Sequence, residues 1–257
     1  MRILVTNDDG IHSAGIRALS EAIADVGDVW VVAPDRERSG ASHSITLHSP
    51  LRLTPQGPQR YMVDGTPGDC VYLTVNHLLK DARPDLVVSG INHGPNLADD
   101  ITYSGTVAAA LEATMLGIPA IAFSLCPRGG PMQFEAAARF ARTLISSMTA
   151  HRLPKGTLLN VNVPRGSDGV TFCLTRQGKR SFSQEVVAGR DPRGKPYYWI
   201  GGDEQAHENI PGSDCNAVYD EGVISVTPLH LDMTHVPLRT EMEGWGIPGQ
   251  LPHGGAP

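Results

Sequence analysis

The sequence predicts an α/β fold, a doubly wound and mostly parallel sheet with helices on both faces. Three observations predict it. Short runs in the first 165 residues are apolar throughout, as strands covered on both faces must be. Segments between them carry apolar residues at helical spacing. The two kinds alternate, which is the pattern of repeated βαβ units.

The elements follow in chain order. "RILVT" (2–6) is a β-rich run. "AGIRALSEAIADVG" (14–27) sets Ile16, Leu19, Ile23 and Val26 on one helical face, and "VWVVAP" (29–34) is a strand ended by proline. "CVYLTVNHLL" (70–79) follows a Thr-Pro-Gly turn and is consistent with a helix. "PDLVVSG" (84–90) is an apolar strand, "GTVAAALEATMLG" (105–117) a helix closed by Gly117, and "PAIAFSL" (119–125) another strand. "FEAAARFARTLISSM" (134–148) is an amphipathic helix, and "GTLLNVNVP" (156–164) completes a Rossmann-like core over residues 1–165.

After Pro164 the pattern changes. Residues 165–215 are rich in Gly, Arg, Asp and Pro, with β-prone pieces at 170–176, 182–189 and 197–202, and a returning strand at 222–229 closes a region spanning 166–230. Paired strands fit this better than another βαβ unit. The expectation is a β-rich extension used in oligomer contacts. A C-terminal segment (231–257) follows, with a disordered Gly/Pro-rich end, "GIPGQLPHGGAP".

The chain has 257 residues, 19% of them charged, and a formal charge of −6. It has no Lys/Arg run, so an extended nucleic acid is not an expected partner. "MRILVTNDDG" does not read as a signal peptide. No stretch approaches the ~18 apolar residues of a membrane span. Cys70, Cys126, Cys173 and Cys215 are widely spaced, which suggests reduced thiols in a cytoplasmic protein.

In open parallel sheets, ligands bind beyond the carboxyl ends of the strands. Three polar segments fall there: Asn7-Asp8-Asp9-Gly10, "PDRERSGASHS" (34–44) and "GINHGPNLADDITYSGT" (90–106). In a strand, Asp8 and Asp9 would point to opposite faces, but a turn at Gly10 frees both to serve one point. Two carboxylates with an amide oxygen and a hydroxyl suit a hard cation, Mg²⁺ or Mn²⁺. Ser39 offers a hydroxyl to metal or phosphate, and the Gly40 amide a close approach to an anion. Asn92 and Asn96 flank a stiff Gly94-Pro95 turn that aims both amides inward, or else they satisfy loop backbone. The free amides of Ser104, Gly105 and Thr106 open a helix and form a phosphate seat, with Ser104 also a good N-cap.

The bland alternatives are a capping Asp8 beside a solvated Asp9, surface roles for Arg36 and Arg38, and a solvated or capping Asp99–Asp100 pair. His12, His43 and His93 lie near these loops without a clear task. No strand is followed by G-x-G-x-x-G, and there is no Walker-type lysine loop or G-x-S-x-G elbow. Nicotinamide chemistry, P-loop hydrolysis and serine hydrolysis lose support.

"ILVTNDDG", "VVAPDRERSGASHSIT", "GTPGDCVYL", "PDLVVSGINHGPN" and "YSGTVAAALEA" together resemble the SurE family, the stationary-phase survival proteins. "LNVNVP", "TRQGKRSF" and "SVTPL" carry the resemblance to about residue 230. The family consists of metal-dependent 5′-nucleotidases. The resemblance implies a divalent metal, broad use of nucleoside monophosphates, and a homodimer or homotetramer built through the extension. It places metal ligands on Asp8, Asp9, Ser39 and Asn92, and phosphate contacts on Asn96, Ser104, Gly105 and Thr106. "HSAG" (12–15), Ala98 and Cys215 depart from the family pattern, and none is among these ligands.

The expected reaction is hydrolysis of a nucleoside 5′-monophosphate by an in-line water, with Asp8 and Asp9 as catalytic residues and Asp8 the first choice to assist the water. A covalent aspartyl-phosphate ranks lower, because the Asp-x-Asp spacing of haloacid-dehalogenase-type phosphatases is absent. The alternatives are a phosphatase for 3′-nucleotides or short polyphosphate, and a non-catalytic nucleotide-binding module.

Overall fold

A computed structural model describes residues 1–127, 129–148, 150–182, 185–201 and 204–247. The strands are β1 (Arg2–Thr6), β2 (Asp28–Pro34), β3 (Leu53–Gly57), β4 (Arg60–Val63), β5 (Leu86–Asn92), β6 (Ala120–Cys126), β7 (Thr157–Pro164), β8 (Phe172–Leu174), β9 (Arg180–Phe182), β10 (Glu185–Arg190), β11 (Pro196–Gly201), β12 (Glu204–His207) and β13 (Ile224–His230). The helices are α1 (Ala14–Ala22), α2 (Pro67–Leu73), α3 (Gly105–Met115), α4 (Glu135–Ser147) and α5 (Val236–Glu243).

A nine-stranded sheet runs β3-β4-β2-β1-β5-β6-β7-β13-β8. From β4 to β7 every neighbouring pair is parallel. The chain first winds outward from β1 through β2 to β4, then returns to the other side of β1 with β5. That reversal is the switch point where open α/β sheets bind ligands. It lies between the ends of β1 and β5, where the acidic and asparagine-rich segments emerge.

Alternation along β1 sorts the two cores. Ile3 and Val5 pack with Ile16, Leu19, Phe123, Phe140 and Ile145, under α1 and α4. Leu4 faces the opposite way, toward Val71, Val107, Ala110 and Ala113 of α2 and α3. Helix α3 is alanine-rich and almost wholly buried, so its small side chains let it lie close on the sheet.

Several boundaries differ from the expectation. Helix α2 begins earlier, at Pro67, because the Thr-Pro-Gly segment is a helix start: Thr66 and Asp69 form a capping box with Pro67 in the first turn. It then widens to a π-helical turn over Thr74–Leu78. The β3–β4 hairpin was not foreseen. Its Pro55 sits in an edge strand, the place where a sheet tolerates proline. Beyond residue 165, β13 rejoins the main sheet antiparallel to β7, and β8 pairs with β13. β10 and β11 form a separate ribbon, as do β9 and β12. Helix α5 was also unforeseen, capped by His235 with Pro237 in its first turn. The expected disordered end falls mostly outside the described residues.

Gly90 lets β5 bend before Asn92. Its φ is +128°, and a Cβ there would stand 2.3 Å from the Phe123 carbonyl oxygen of β6. Gly90→Ala should lower the stability measured by urea unfolding by about 1–3 kcal/mol, the usual cost of overpacking. An unchanged urea midpoint would show that the strands part freely.

Candidate active site

Beyond β1, the Asn7 side chain holds the turn, donating to the Gly10 carbonyl (3.1 Å) and to Ser13 Oγ (2.8 Å). Asp8 and Asp9 then leave extended geometry and take different surroundings. Asp8 is buried, and its Oδ1 accepts a hydrogen bond from the Thr106 hydroxyl of α3. The Thr106 backbone N–H supports the same carboxylate. Gly105 makes this approach possible, since a Cβ there would lie 2.8 Å from Asp8 Oδ2. Asp8 therefore sits at the positive end of α3. Burial still raises its pKa, outweighing the hydrogen bonds from Thr106 and its own backbone, and Glu37 adds a small push.

Asp9 is the more open of the pair. Its Oδ2 accepts from the His93 N–H (3.3 Å), and its Oδ1 lies 3.7 Å from His93 Nδ1. Burial, then the charge of Asp8, pushes its pKa up to about 7, against the pull of the His93 amide. The His93 ring leans on Phe134, and its Nε2 accepts from the Gly15 N–H (3.4 Å). Burial lowers its pKa, and with Nε2 accepting from Gly15 the Nδ1 side carries the ring proton, toward Asp9.

The second loop is strapped down along its length. The Arg38 amide donates to the Asp8 carbonyl (2.7 Å), and its guanidinium reaches Asp35 and the Asp64 carbonyl. Ser42 donates to the Tyr103 and Thr102 carbonyls. His43 Nε2 lies 2.8 Å from Glu112 of α3. Asp69 accepts from the Thr46 amide, the Thr46 hydroxyl and the Thr66 amide. Sequence reasoning missed Asp69 and Glu112 as anchors. Their signals were a T-x-x-D cap and a lone acid in an apolar helix. Ser39 and Gly40 stand exposed at the tip of this loop, with Ser39 Oγ donating to Glu37 (2.8 Å).

The third segment begins where β5 ends. The Asn92 amide donates to the Gly94 carbonyl (2.9 Å), so its oxygen is the atom that could meet a cation. Asn96 is buried, and its amide is directed to Ser124 Oγ of β6 (2.8 Å). Ser104 caps α3, accepting from the Val107 amide (3.0 Å). Asp99 and Asp100 pair with Lys179 and Arg180, so neither is simply solvated. Ala98 has φ +51°, a conformation glycine adopts freely.

The structure thus brings Asp8 against Gly105 and Thr106, and brings Asp9 to the amide of His93, the residue after Asn92. Ser39 is turned to Glu37 and Asn96 to β6. Among the described residues, no three His, Cys, Asp or Glu side chains gather as a metal site. The donors here are two carboxylates, an amide oxygen and a hydroxyl. Such a set fits a hard cation, and two crowded acids with raised pKa values call for a positive charge.

The crowding has a stability consequence. Because the folded-state pKa of Asp9 is raised from 3.8 to about 7, the neutral form is the one folding favours. Its contribution is complete below the unfolded value and is lost as pH rises through about 7. In chelator at pH 8, ~1 unit above that value, Asp9→Asn should melt at a higher temperature than the unsubstituted protein, with the gap closing toward acid pH. A lower melting temperature at the alkaline pH would mean that the Asp9 charge is already compensated.

The family profile described as Survival protein SurE matches residues 3–184. A protein of Myxococcus xanthus named 5′-nucleotidase SurE is 56% identical over 248 residues, covering 96% of this chain and 94% of its own length. One of the same name from Geobacter sulfurreducens is 52% identical over 259 residues, covering 100% of this chain and 98% of its own length. The crystal structure of the Sure protein from Aquifex aeolicus matches with a TM-score of 0.83 at 45% identity, over 95% of this chain and 98% of that one. With its parallel sheet and its acid pair at the switch point, the chain belongs to the SurE family.

Proposed function

We propose that the chain is a phosphoric monoester hydrolase that releases phosphate from nucleoside 5′-monophosphates and depends on Mg²⁺ or Mn²⁺. The observation that carries this reading is the buried Asp8–Asp9 pair set against the start of α3. Two carboxylates repel a phosphate unless a cation stands between them. Asp8, Asp9 and the Asn92 oxygen would hold that cation, joined by Ser39 once its hydroxyl leaves Glu37. When bound, the cation supplies charge neutralisation for the transferring phosphoryl group.

The chain's own groups do the rest. The Gly105 amide and the Ser104 hydroxyl face the phosphate, joined by the Ser39 hydroxyl once it leaves Glu37 and by the Gly40 amide, while the Thr106 amide and hydroxyl stay with Asp8. Asn96 adds the amide hydrogen not used by Ser124. The dipole of α3 favours the negative group at that end. Asp8 is tied to Thr106 and is the orienting carboxylate. Asp9 is more open and is the better acceptor for the proton of the attacking water, because the Asp8 carboxylate is already engaged by Thr106. This assignment moves the water-assisting role from Asp8 to Asp9. The names of the relatives support the substrate class, and the family resemblance supports broad use of nucleotides.

Copies of the chain associate through the C-terminal region in this reading. The β10–β11 ribbon exposes Val186, Val187, Tyr197, Tyr198, Trp199 and Ile200, and α5 buries none of its residues. Exposed apolar area of this kind marks an interface, and a homodimer or homotetramer satisfies it. The protein is proposed as cytoplasmic. Its four cysteines are free thiols, and no described helix is long and apolar enough to cross a membrane.

Phosphate release from a panel of nucleoside 5′- and 3′-monophosphates and short polyphosphate tests the reading. Release from 5′-monophosphates should stop after chelation and return with Mn²⁺ or Mg²⁺. Asp8→Asn and Asp9→Asn should each lose at least ~100-fold in kcat while remaining folded. Release that persists through chelation sinks the metal dependence, and nucleotide binding without turnover sinks the enzyme. Replacing Trp199 and Ile200 together with serine should shift the sedimenting species toward monomer, and an unchanged assembly would move the interface elsewhere.

A further inference from the structure

The "LNVNVP" motif holds two asparagines that the proposed reaction leaves without a task. Asn160 and Asn162 of β7 are fully buried, two residues apart and so on one face of the sheet. Asn162 meets the backbone of Asn96 twice. Its Oδ1 accepts from the Asn96 N–H (2.9 Å), and its Nδ2 donates to the Asn96 carbonyl (3.0 Å). The Asn160 amide donates to the same carbonyl (2.8 Å), and Ser124 of β6 accepts from the Asn96 side chain. Asn160 Oδ1 has no protein partner, so that buried amide is kept with only its Nδ2 bonded, to this loop.

The register explains the arrangement. Asn92 pairs with Ser124 across β5 and β6, and Ser124 with Asn162 across β6 and β7. The chain leaves β5 at Asn92, turns through His93, Gly94 and Pro95, and folds back over that same row. Asn96 is thereby fixed to the two strands beyond the one that carries Asn92. Buried amides are costly unless paired, and three of the four polar atoms of this pair are bonded to the backbone of Asn96.

We propose that Asn162 is a positioning residue for the candidate site. Acting through Asn96, it closes the 92–96 turn and so sets where the Asn92 oxygen and the His93 amide stand. This rests on the metal-dependent reading of that site.

The test is calorimetric titration of Mn²⁺ into the substrate-free protein, with a thermal melt of each variant. Asn162→Leu should weaken Mn²⁺ binding by ~10-fold or more, the usual effect of losing a group that orients a ligand. Ser124→Ala keeps the backbone grip and should weaken it less. Thr227→Val removes a buried hydroxyl that bonds Thr175 and does not touch the turn, so it should lose stability with Mn²⁺ affinity unchanged. Unaltered Mn²⁺ affinity in a folded Asn162→Leu overturns the assignment. Where that variant does not fold, unaltered affinity in a folded Asn162→Ser, whose side chain is too short to bridge both Asn96 backbone groups, does so instead. An unsubstituted protein that binds no Mn²⁺ overturns the metal reading first, and this assignment with it.

Discussion

The hydrogen bond from Thr106 to Asp8 joins residues 98 positions apart, the end of the first strand and the first turn of α3. It brings a carboxylate to the end of a helix that attracts anions, and it does so inside the protein. Other features of the site follow from that placement. Position 105 must be glycine-sized, because any side chain would meet Asp8. The next carboxylate, Asp9, is left to find its partner elsewhere and takes the His93 amide at the end of β5. The loop after β2 is drawn in as well, since the Arg38 amide bonds the Asp8 carbonyl. Three segments distant in sequence are thus closed around one pair of acids.

That closure is electrostatically incomplete. Burial dominates the pKa of both acids, and hydrogen bonds to Asp8 and Asp9 only partly oppose it. A protein selected for stability alone would not keep two adjacent carboxylates there. Sites that must receive a ligand often hold such stored unfavourable energy, which the ligand relieves. The surrounding frame is correspondingly rigid. Asp69, Glu112 and Asp214 each bond loop or extension residues that carry or border the site, and Asp214 alone holds the amides of Ala98, Gly178 and Cys215.

Much of this was legible in the chain. Strands buried on both faces read as apolar runs, so β1, β2, β5, β6 and β7 could be found without a partner in view. The strand-end rule then gathered Asp8, Asp9, Asn92 and the Ser104–Thr106 turn at one edge. What was not legible had weaker local signals. The β3–β4 hairpin carries Pro55 and polar residues, and it exists because β2 offers an open parallel edge to β4. Helix α5 buries nothing within the chain, so no apolar face in the described fold accounts for it. Asn96 read as an inward-facing amide, yet its hydrogen bonds lead to β6 and β7.

Sequence alone determined the fold class, the position of the acids and the oxygen chemistry of the site, because these depend on local periodicity and on residue type. The family followed from motifs in a fixed order. Only the tertiary structure decided which acid is tied and which is open, that Asn160 and Asn162 support a loop more than sixty residues away, and that Asp69 and Glu112 hold the loop of Ser39. The physical reason is that hydrogen-bond partnership and desolvation are properties of pairs in space. Adjacent aspartates look equivalent along the chain. They differ once one of them is packed against a helix whose Thr106 lies 98 residues further along the chain.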